Sequence, residues 1–182
     1  MSDIKLVDVT EKDIELIRQW RNSEEVAGYM YSEEKISKEQ QKQWFNKVKD
    51  DKSSKYWIIE YNDKQLGLAS LTGINKTLNS CYWAFYLGDT SVRGAGIGGK
   101  VEYNVLKYVF DYMKLHKLRC EVFTFNDKVI KMHEKFGFRR EAYYRDHCYK
   151  NGEYHDVVGL AMLDSEWNIL KEKMHAKVYR TN

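Results

Sequence analysis

The stretch that decides the fold reads Cys81-Tyr82-Trp83-Ala84-Phe85-Tyr86-Leu87, and six residues later Arg93-Gly94-Ala95-Gly96-Ile97-Gly98-Gly99. The first run is apolar and aromatic throughout, the pattern of a strand buried on both faces. The second opens a helix predicted over residues 97–115, with Val101, Val105, Val109 and Tyr112 on one stripe. Another apolar run, residues 118–125, follows as a strand. Strand, glycine-rich loop, helix and strand make a parallel βαβ unit.

Working outward, residues 4–9 alternate as a first strand. Thr10 with Asp13 forms a capping-box start for a helix through Ile14, Ile17 and Trp20, and Ser37 with Gln40 starts a second through Trp44, Phe45 and Val48. The irregular segment between them, residues 21–36, is rich in aromatic and sulfur side chains and is expected to line something. Residues 55–61 and 65–73 read as a hairpin turning at Asn62-Asp63-Lys64. Residues 127–136 form a helix ended by Gly137. Residues 142–149 and 154–163 form a hairpin through Asn151-Gly152, and Ser165 caps a terminal helix. The order predicts one α/β domain, a mixed sheet with helices on both faces.

The chain has 182 residues, 30 basic and 27 acidic, a net charge of +3. That balance argues against nucleic acid as a partner, which would call for a basic stripe. The 3 cysteines cannot all pair with one another, and no metal-ligand spacing occurs, so no metal is expected. Cys81 and Cys120 lie in apolar runs and read as small core residues. No apolar run of signal-peptide or membrane-span length appears, so a cytoplasmic protein without membrane contact is expected. An edge strand in the last hairpin could support a homodimer.

The glycine-rich loop has a chemistry. Without Cβ atoms, its backbone N–H groups can converge on one point where the helix dipole also favours negative charge. The result is a phosphate cradle to which Arg93 can add a charge-assisted contact. No Gly-Lys-Ser/Thr follows, which excludes a Walker loop. No acid sits where a dinucleotide-binding unit needs one, and too many strands precede the loop.

Arg93, Gly96 and Gly98 in an Arg-x-x-Gly-x-Gly spacing, with Asn126 and the later run Lys131-Met132-His133-Glu134-Lys135-Phe136-Gly137-Phe138, resemble the two signature segments of the GNAT acetyltransferases. The resemblance covers essentially the whole chain. It implies a mostly antiparallel sheet of about seven strands flanked by helices. It also implies acetyl-CoA as co-substrate: pantetheine along the strand ending at Tyr86 and Leu87, pyrophosphate on the amides of Gly94, Ala95, Gly96, Ile97, Gly98 and Gly99, Asn126 on the pantetheine arm, and Lys135 within the second signature. The family's tyrosine, taken as the acid for the leaving thiolate, is His133 here. Imidazolium can donate that proton; the alternative is a histidine that fills the position while water does so.

The reaction needs a neutral amine, hence a proton acceptor. Glu121, the acid within the strand of residues 118–125, can serve directly or through water. It could equally be a solvent-facing residue or a partner of Arg119. Ser70 could orient substrate or water. The segments Trp20-Arg21-Asn22 and Met30-Tyr31-Ser32, with Trp44, resemble the acetyltransferases of pseudaminic-acid biosynthesis, which act on the 4-amino group of a UDP-linked amino-dideoxy sugar en route to flagellin glycosylation. There Arg21 could pair with the diphosphate and Met30 and Tyr31 offer a soft, flat surface for uracil, with Asn22 and Trp44 as further substrate-binding candidates. The bland alternative is that these side chains pack helices on the sheet. Asn151-Gly152 followed by Asp156 also resembles the ribosomal-protein N-terminal acetyltransferases. A third reading, of another class, is a non-catalytic acetyl-CoA-binding domain.

Overall fold

The computed structural model describes residues 4–92 and 96–179. Seven strands, β1 (Lys5–Asp8), β2 (Lys55–Tyr61), β3 (Lys64–Asn75), β4 (Ser80–Leu87), β5 (Lys117–Phe123), β6 (Arg139–Lys150) and β7 (Glu153–Leu163), form one sheet in the order β1-β2-β3-β4-β5-β7-β6. Every neighbouring pair is antiparallel except β4 and β5. Helices α1 (Ile14–Asn22), α2 (Glu24–Ala27), α3 (Lys38–Val48), α4 (Ile97–Lys107), α5 (Asp127–Lys135) and α6 (Asp164–Val178) cover it. The mixed α/β sheet expected from the sequence is the one observed.

Local chemistry explains the boundaries. Thr10 and Asp13 close their capping box, which opens a 3-10 turn ahead of α1, and Ser37 and Gln40 close theirs at α3. Asn151 (φ 52°) and Gly152 (φ 83°) both take the left-handed backbone that a tight two-residue hairpin needs. Tyr61 pairs directly with Lys64, so the β2–β3 turn holds two residues, Asn62 and Asp63, and not three.

Four other expectations need correction. The helix after the glycine loop stops at Lys107 and continues as a π-turn over Tyr108–Tyr112, and Lys114 (φ 57°) ends it before Leu115. A short helix, α2, interrupts the segment taken as irregular. Ser165 lies inside α6, whose first residue is Asp164. In β4, Ala84 is exposed, because one face of the sheet is open at that point.

The two faces are unequal. On one, α4, α5 and α6 pack over Trp57, Leu71, Cys81, Trp83, Leu118 and Cys120 to form the main core. On the other, α1 lays Ile17 and Trp20 on Ile58 and Leu68, with Trp44 of α3, Tyr56 and Tyr86 around them. Burying a large apolar side chain contributes roughly 1.5–3 kcal/mol, so the thinner second layer leaves room for a cavity.

Candidate active site

The parallel pair is short. Ser80, Cys81 and Tyr82 pair with Lys117, Leu118 and Arg119, and beyond them β4 and β5 part. From there residues 83–87 and 120–123 run with their facing edges unpaired to each other, although β3 and β7 hold their outer edges. Backbone N–H and C=O groups on such edges need partners from outside the sheet. At this end α4 begins, with Gly96 (φ 75°) as its N-cap. A Cβ at Gly96 would meet open space, so the glycine serves its backbone angle. A Cβ on Gly98 would come 3.2 Å from Met132 Sδ, and one on Gly99 3.2 Å from the Phe136 ring, so these two glycines let α4 start close against α5. Arg93, Gly94 and Ala95 lie outside the described residues. The N–H groups of Ile97, Gly98 and Gly99 fall in the first turn, where no helical carbonyl takes them. An unpaired strand edge beside a helix N-terminus suits a chain that carries an extended amide arm and a diphosphate, as acetyl-CoA does. Asn126 caps α5 without spending its side chain on the helix. Lys135 is exposed at the far end of α5.

Ser70, Ala84 and Glu121 form a row across β3, β4 and β5 on the α1–α3 face, since Ser70 pairs with Ala84 and Glu121 lies two residues past Arg119. Ser70 Oγ donates to Ala84 O over 3.4 Å. Glu121 is exposed and accepts a hydrogen bond of 2.8 Å from the Tyr31 hydroxyl. Burial and that carboxylate push the Tyr31 phenol up, so it stays a donor. Tyr31 packs edge-on against Phe123 (5.2 Å) and His147 (5.9 Å). Lys150, 3 % exposed, donates to the carbonyls of Ala27 and Met30 and so ties down the loop that delivers Tyr31.

A cavity of about 390 Å³ lies between α1, α3 and the sheet, lined by Arg21, Gln41, Trp44, Tyr56, Leu68 and Tyr86, among others. Gln41 Nε2 and the Tyr86 hydroxyl are buried there without a hydrogen-bond partner. Burial pushes the Arg21 guanidinium down, opposed by Tyr86, while burial holds the Tyr86 phenol up. Arg21 also donates to Ser32 Oγ at 2.8 Å.

The residues expected to contact substrate therefore divide. Arg21 and Trp44 share the cavity. Met30 and Tyr31 do not line it; Tyr31 lies instead over β5 beside Glu121. Asn22 spends both ends of its amide on the backbone of Ile36 (2.9 and 2.8 Å), so it closes the loop. Gln41 was missed. Its signal was its place one helical turn from Trp44 and Phe45, on the apolar stripe of α3.

His133 is 3 % exposed and sits in the α4–α5 layer, its ring 5.2 Å from Trp83 and 5.4 Å from Phe138. Among the described residues no group of His, Cys, Asp and Glu could hold a metal ion, and no helix is long and apolar enough to cross a membrane.

A parted parallel pair, a glycine-started helix and a single carboxylate, Glu121, on the open face define an acyltransferase that works from a coenzyme A thioester. A family model described as an acetyltransferase (GNAT) domain matches residues 3–139, and the chain belongs to that family. It is an acetyl-CoA-dependent N-acetyltransferase. The chain is 25% identical over 167 residues to the spermidine N(1)-acetyltransferase of Vibrio cholerae, covering 91% of this chain and 96% of the relative. It is 28% identical over 138 residues to the acetyltransferase PseH of Campylobacter jejuni, covering 74% and 84%. The crystal structure of the Vibrio cholerae spermidine N-acetyltransferase with CoA and spermine superposes with a TM-score of 0.87 at 23% identity, over 91% of this chain and 98% of that one, which establishes the shared fold.

Proposed function

We propose that the chain transfers an acetyl group from acetyl-CoA to the 4-amino group of a UDP-linked amino-dideoxy sugar, the substrate class of pseudaminic-acid biosynthesis. The cavity carries this reading. Its lining contains no carboxylate, its one charged side chain is Arg21, and Trp44, Tyr56 and Tyr86 give it flat walls. Such a surface suits a heterocycle and a diphosphate. A polyamine, with several ammonium groups, would leave those charges unpaired there. In this reading Glu121 takes a proton from the bound ammonium, the neutral amine attacks the thioester carbonyl, Ser70 orients the amine or a water, and His133 returns a proton to the departing sulfur. The amides of Gly96, Ile97, Gly98 and Gly99 hold the pyrophosphate, with Arg93, Gly94 and Ala95 ahead of them. Tyr86 and Leu87 pair with the pantetheine arm, Asn126 contacts it, and Lys135 borders the cofactor.

A second reading is a polyamine substrate. It is favoured by the Vibrio cholerae relative and by the aromatic rings of Tyr29, Tyr31, Phe123 and Phe125 gathered beside Glu121, since aromatic faces attract ammonium groups.

Initial rates with UDP-4-amino-4,6-dideoxy-N-acetylaltrosamine, spermidine and an N-terminal ribosomal peptide decide between them. The sugar nucleotide should have the highest kcat/KM; a preference for spermidine or the peptide overturns the proposal. Acetyl-CoA binding with no acetylated amine would mark a non-catalytic domain. Arg21→Ala should raise KM for the sugar nucleotide about 10- to 100-fold, the loss of one charge-assisted hydrogen bond, with kcat little changed and spermidine unaffected.

A further inference from the structure

Beneath the point where β4 and β5 part, α4, α5 and β5 bring together three side chains sealed from solvent: Glu102 (0 % exposed), His133 (3 %) and Cys120 (4 %). His133 Nδ1 lies 2.8 Å from Glu102 Oε1. Cys120 lies near enough to the same ring to favour its charged form, and Trp83 of β4 meets it edge-on. A ring that touches Trp83 on one strand and Cys120 on the other sits under their divergence, because Cys120 is the first residue of β5 beyond the last paired one, Arg119. The second carboxylate oxygen, Glu102 Oε2, is buried with no hydrogen-bond partner. A carboxyl group is not left half-satisfied in an apolar layer without cost.

The contact at Nδ1, together with the number of protons the pair holds, fixes what the other ring nitrogen does. If the shared proton rests on Glu102, Nδ1 accepts it and the ring's own hydrogen must be on Nε2. If it rests on the ring and the pair holds two protons, both nitrogens carry hydrogen; with one proton between them, Nδ1–H would face a Glu102 carboxylate and Nε2 would be bare. In both two-proton forms, which the raised His133 favours, Nε2–H is a donor and one further proton is stored behind it.

We propose that Glu102 is a positioning residue for acetyl transfer, holding His133 so that Nε2–H faces the parted strands and supplying the proton that lets the ring give that hydrogen away. This rests on the reading of His133 as the acid. As the thioester C–S bond breaks, the electron pair stays on sulfur and receives the Nε2 hydrogen. Nδ1 keeps or takes the shared proton, leaving a Glu102 carboxylate and a neutral ring, and solvent restores the proton afterwards. Burial alone would pull the imidazole down, but Cys120 and Glu102 outweigh it and hold His133 up at about 10. Burial pushes Glu102 up. The other charged or titratable groups that reach the pair are Cys120 from β5 and Lys177 from α6; β4 presents Trp83, and Phe138 precedes β6.

The test begins on the ligand-free protein. Nitrogen-15 spectra of the imidazole rings should show Nε2–H on His133 throughout the neutral range. In Glu102→Gln, of nearly equal volume, the ring loses one of the two groups that offset its burial and should titrate well below the native ring. In turnover, Glu102→Gln should lower kcat about 10- to 100-fold, most at alkaline pH, with KM for acetyl-CoA unchanged within about twofold. Glu102→Asp, which keeps the carboxyl, should restore part of the rate. A folded Glu102→Gln enzyme with the native kcat–pH profile overturns the proposal. So does a native ring without hydrogen on Nε2 at neutral pH, or an acetyl group found on Cys120 after mixing with acetyl-CoA, which would make the trio a nucleophile. Should Glu102→Gln fail to fold, the native ring spectrum and Glu102→Asp decide. Should no amine accept acetyl from the native enzyme, the function fails while the ring spectrum still reports on the pair.

Discussion

Glu121→Gln is expected to lower kcat/KM for the amine by about 10²- to 10⁴-fold near neutral pH, the usual worth of a general base. Glu121 stands on the open face in one row with Ser70 and Ala84, held by the Tyr31 hydroxyl at 2.8 Å. Glutamine keeps the shape and can still accept from Tyr31, so the loop over β5 should stay in place. What disappears is the group that takes a proton from the bound ammonium. The variant must then draw on the small fraction of amine already neutral in solution, a fraction that rises about tenfold per pH unit below the amine's own pKa. Its deficit should therefore be largest at low pH and shrink as pH rises. Rates measured from about pH 6 to 9.5 check this; a deficit that stays constant across that range removes Glu121 from proton transfer.

Gly67→Ala is expected to cost about 3 kcal/mol of stability, at the upper end for overpacking, which lowers Tm by roughly 6–12 °C in a chain of this size. The added Cβ would lie 2.0 Å from Tyr86 O, 2.9 Å from Leu87 Cα and 3.0 Å from Tyr86 C. All three are backbone atoms, so no rotamer change relieves the clash, and β3 and β4 must separate. Because Tyr86 and Leu87 lie on the stretch of β4 that faces the parted strands, acetyl-CoA affinity should fall with stability. Gly152→Ala is the control: its φ is 83° but its Cβ would meet nothing within 4 Å. That variant should cost only about 1–2 kcal/mol for a left-handed backbone and leave acetyl-CoA binding unchanged. Thermal melts and cofactor titrations of both variants test the pair; a Gly67→Ala protein as stable as the native one would contradict the geometry.

Much of the fold was legible because it rests on neighbours in sequence. Capping boxes at Thr10 and Ser37, the Asn151-Gly152 turn and the glycine that ends α5 each need only a few consecutive residues. The π-turn at Tyr108–Tyr112 was not legible, since a helical stripe of Val101, Val105 and Val109 continues through it without interruption. The candidate site divides in the same way. Gly96 announced its left-handed angle by its identity. Gly98 and Gly99, read as part of the phosphate cradle, also proved to be packing residues, because Met132 and Phe136 approach them from a helix more than thirty positions away. Asn22, read as a substrate contact, turned out to hold Ile36 across a loop whose path no periodicity gives.

The sequence by itself determined the family, the parallel unit and the place of the glycine-started helix, since these depend on residue types at short fixed spacings. Only the tertiary structure decided which side chains meet: Tyr31 with Glu121 across 90 positions, and His133 with Glu102 across 31. It also put Arg21 and Trp44 around one cavity while leaving Met30 outside it. The physical reason is that hydrogen bonds, burial and charge act over a few ångströms of space. Which residues come that close is set by how the two helical layers and the sheet pack, and that is a property of the whole chain.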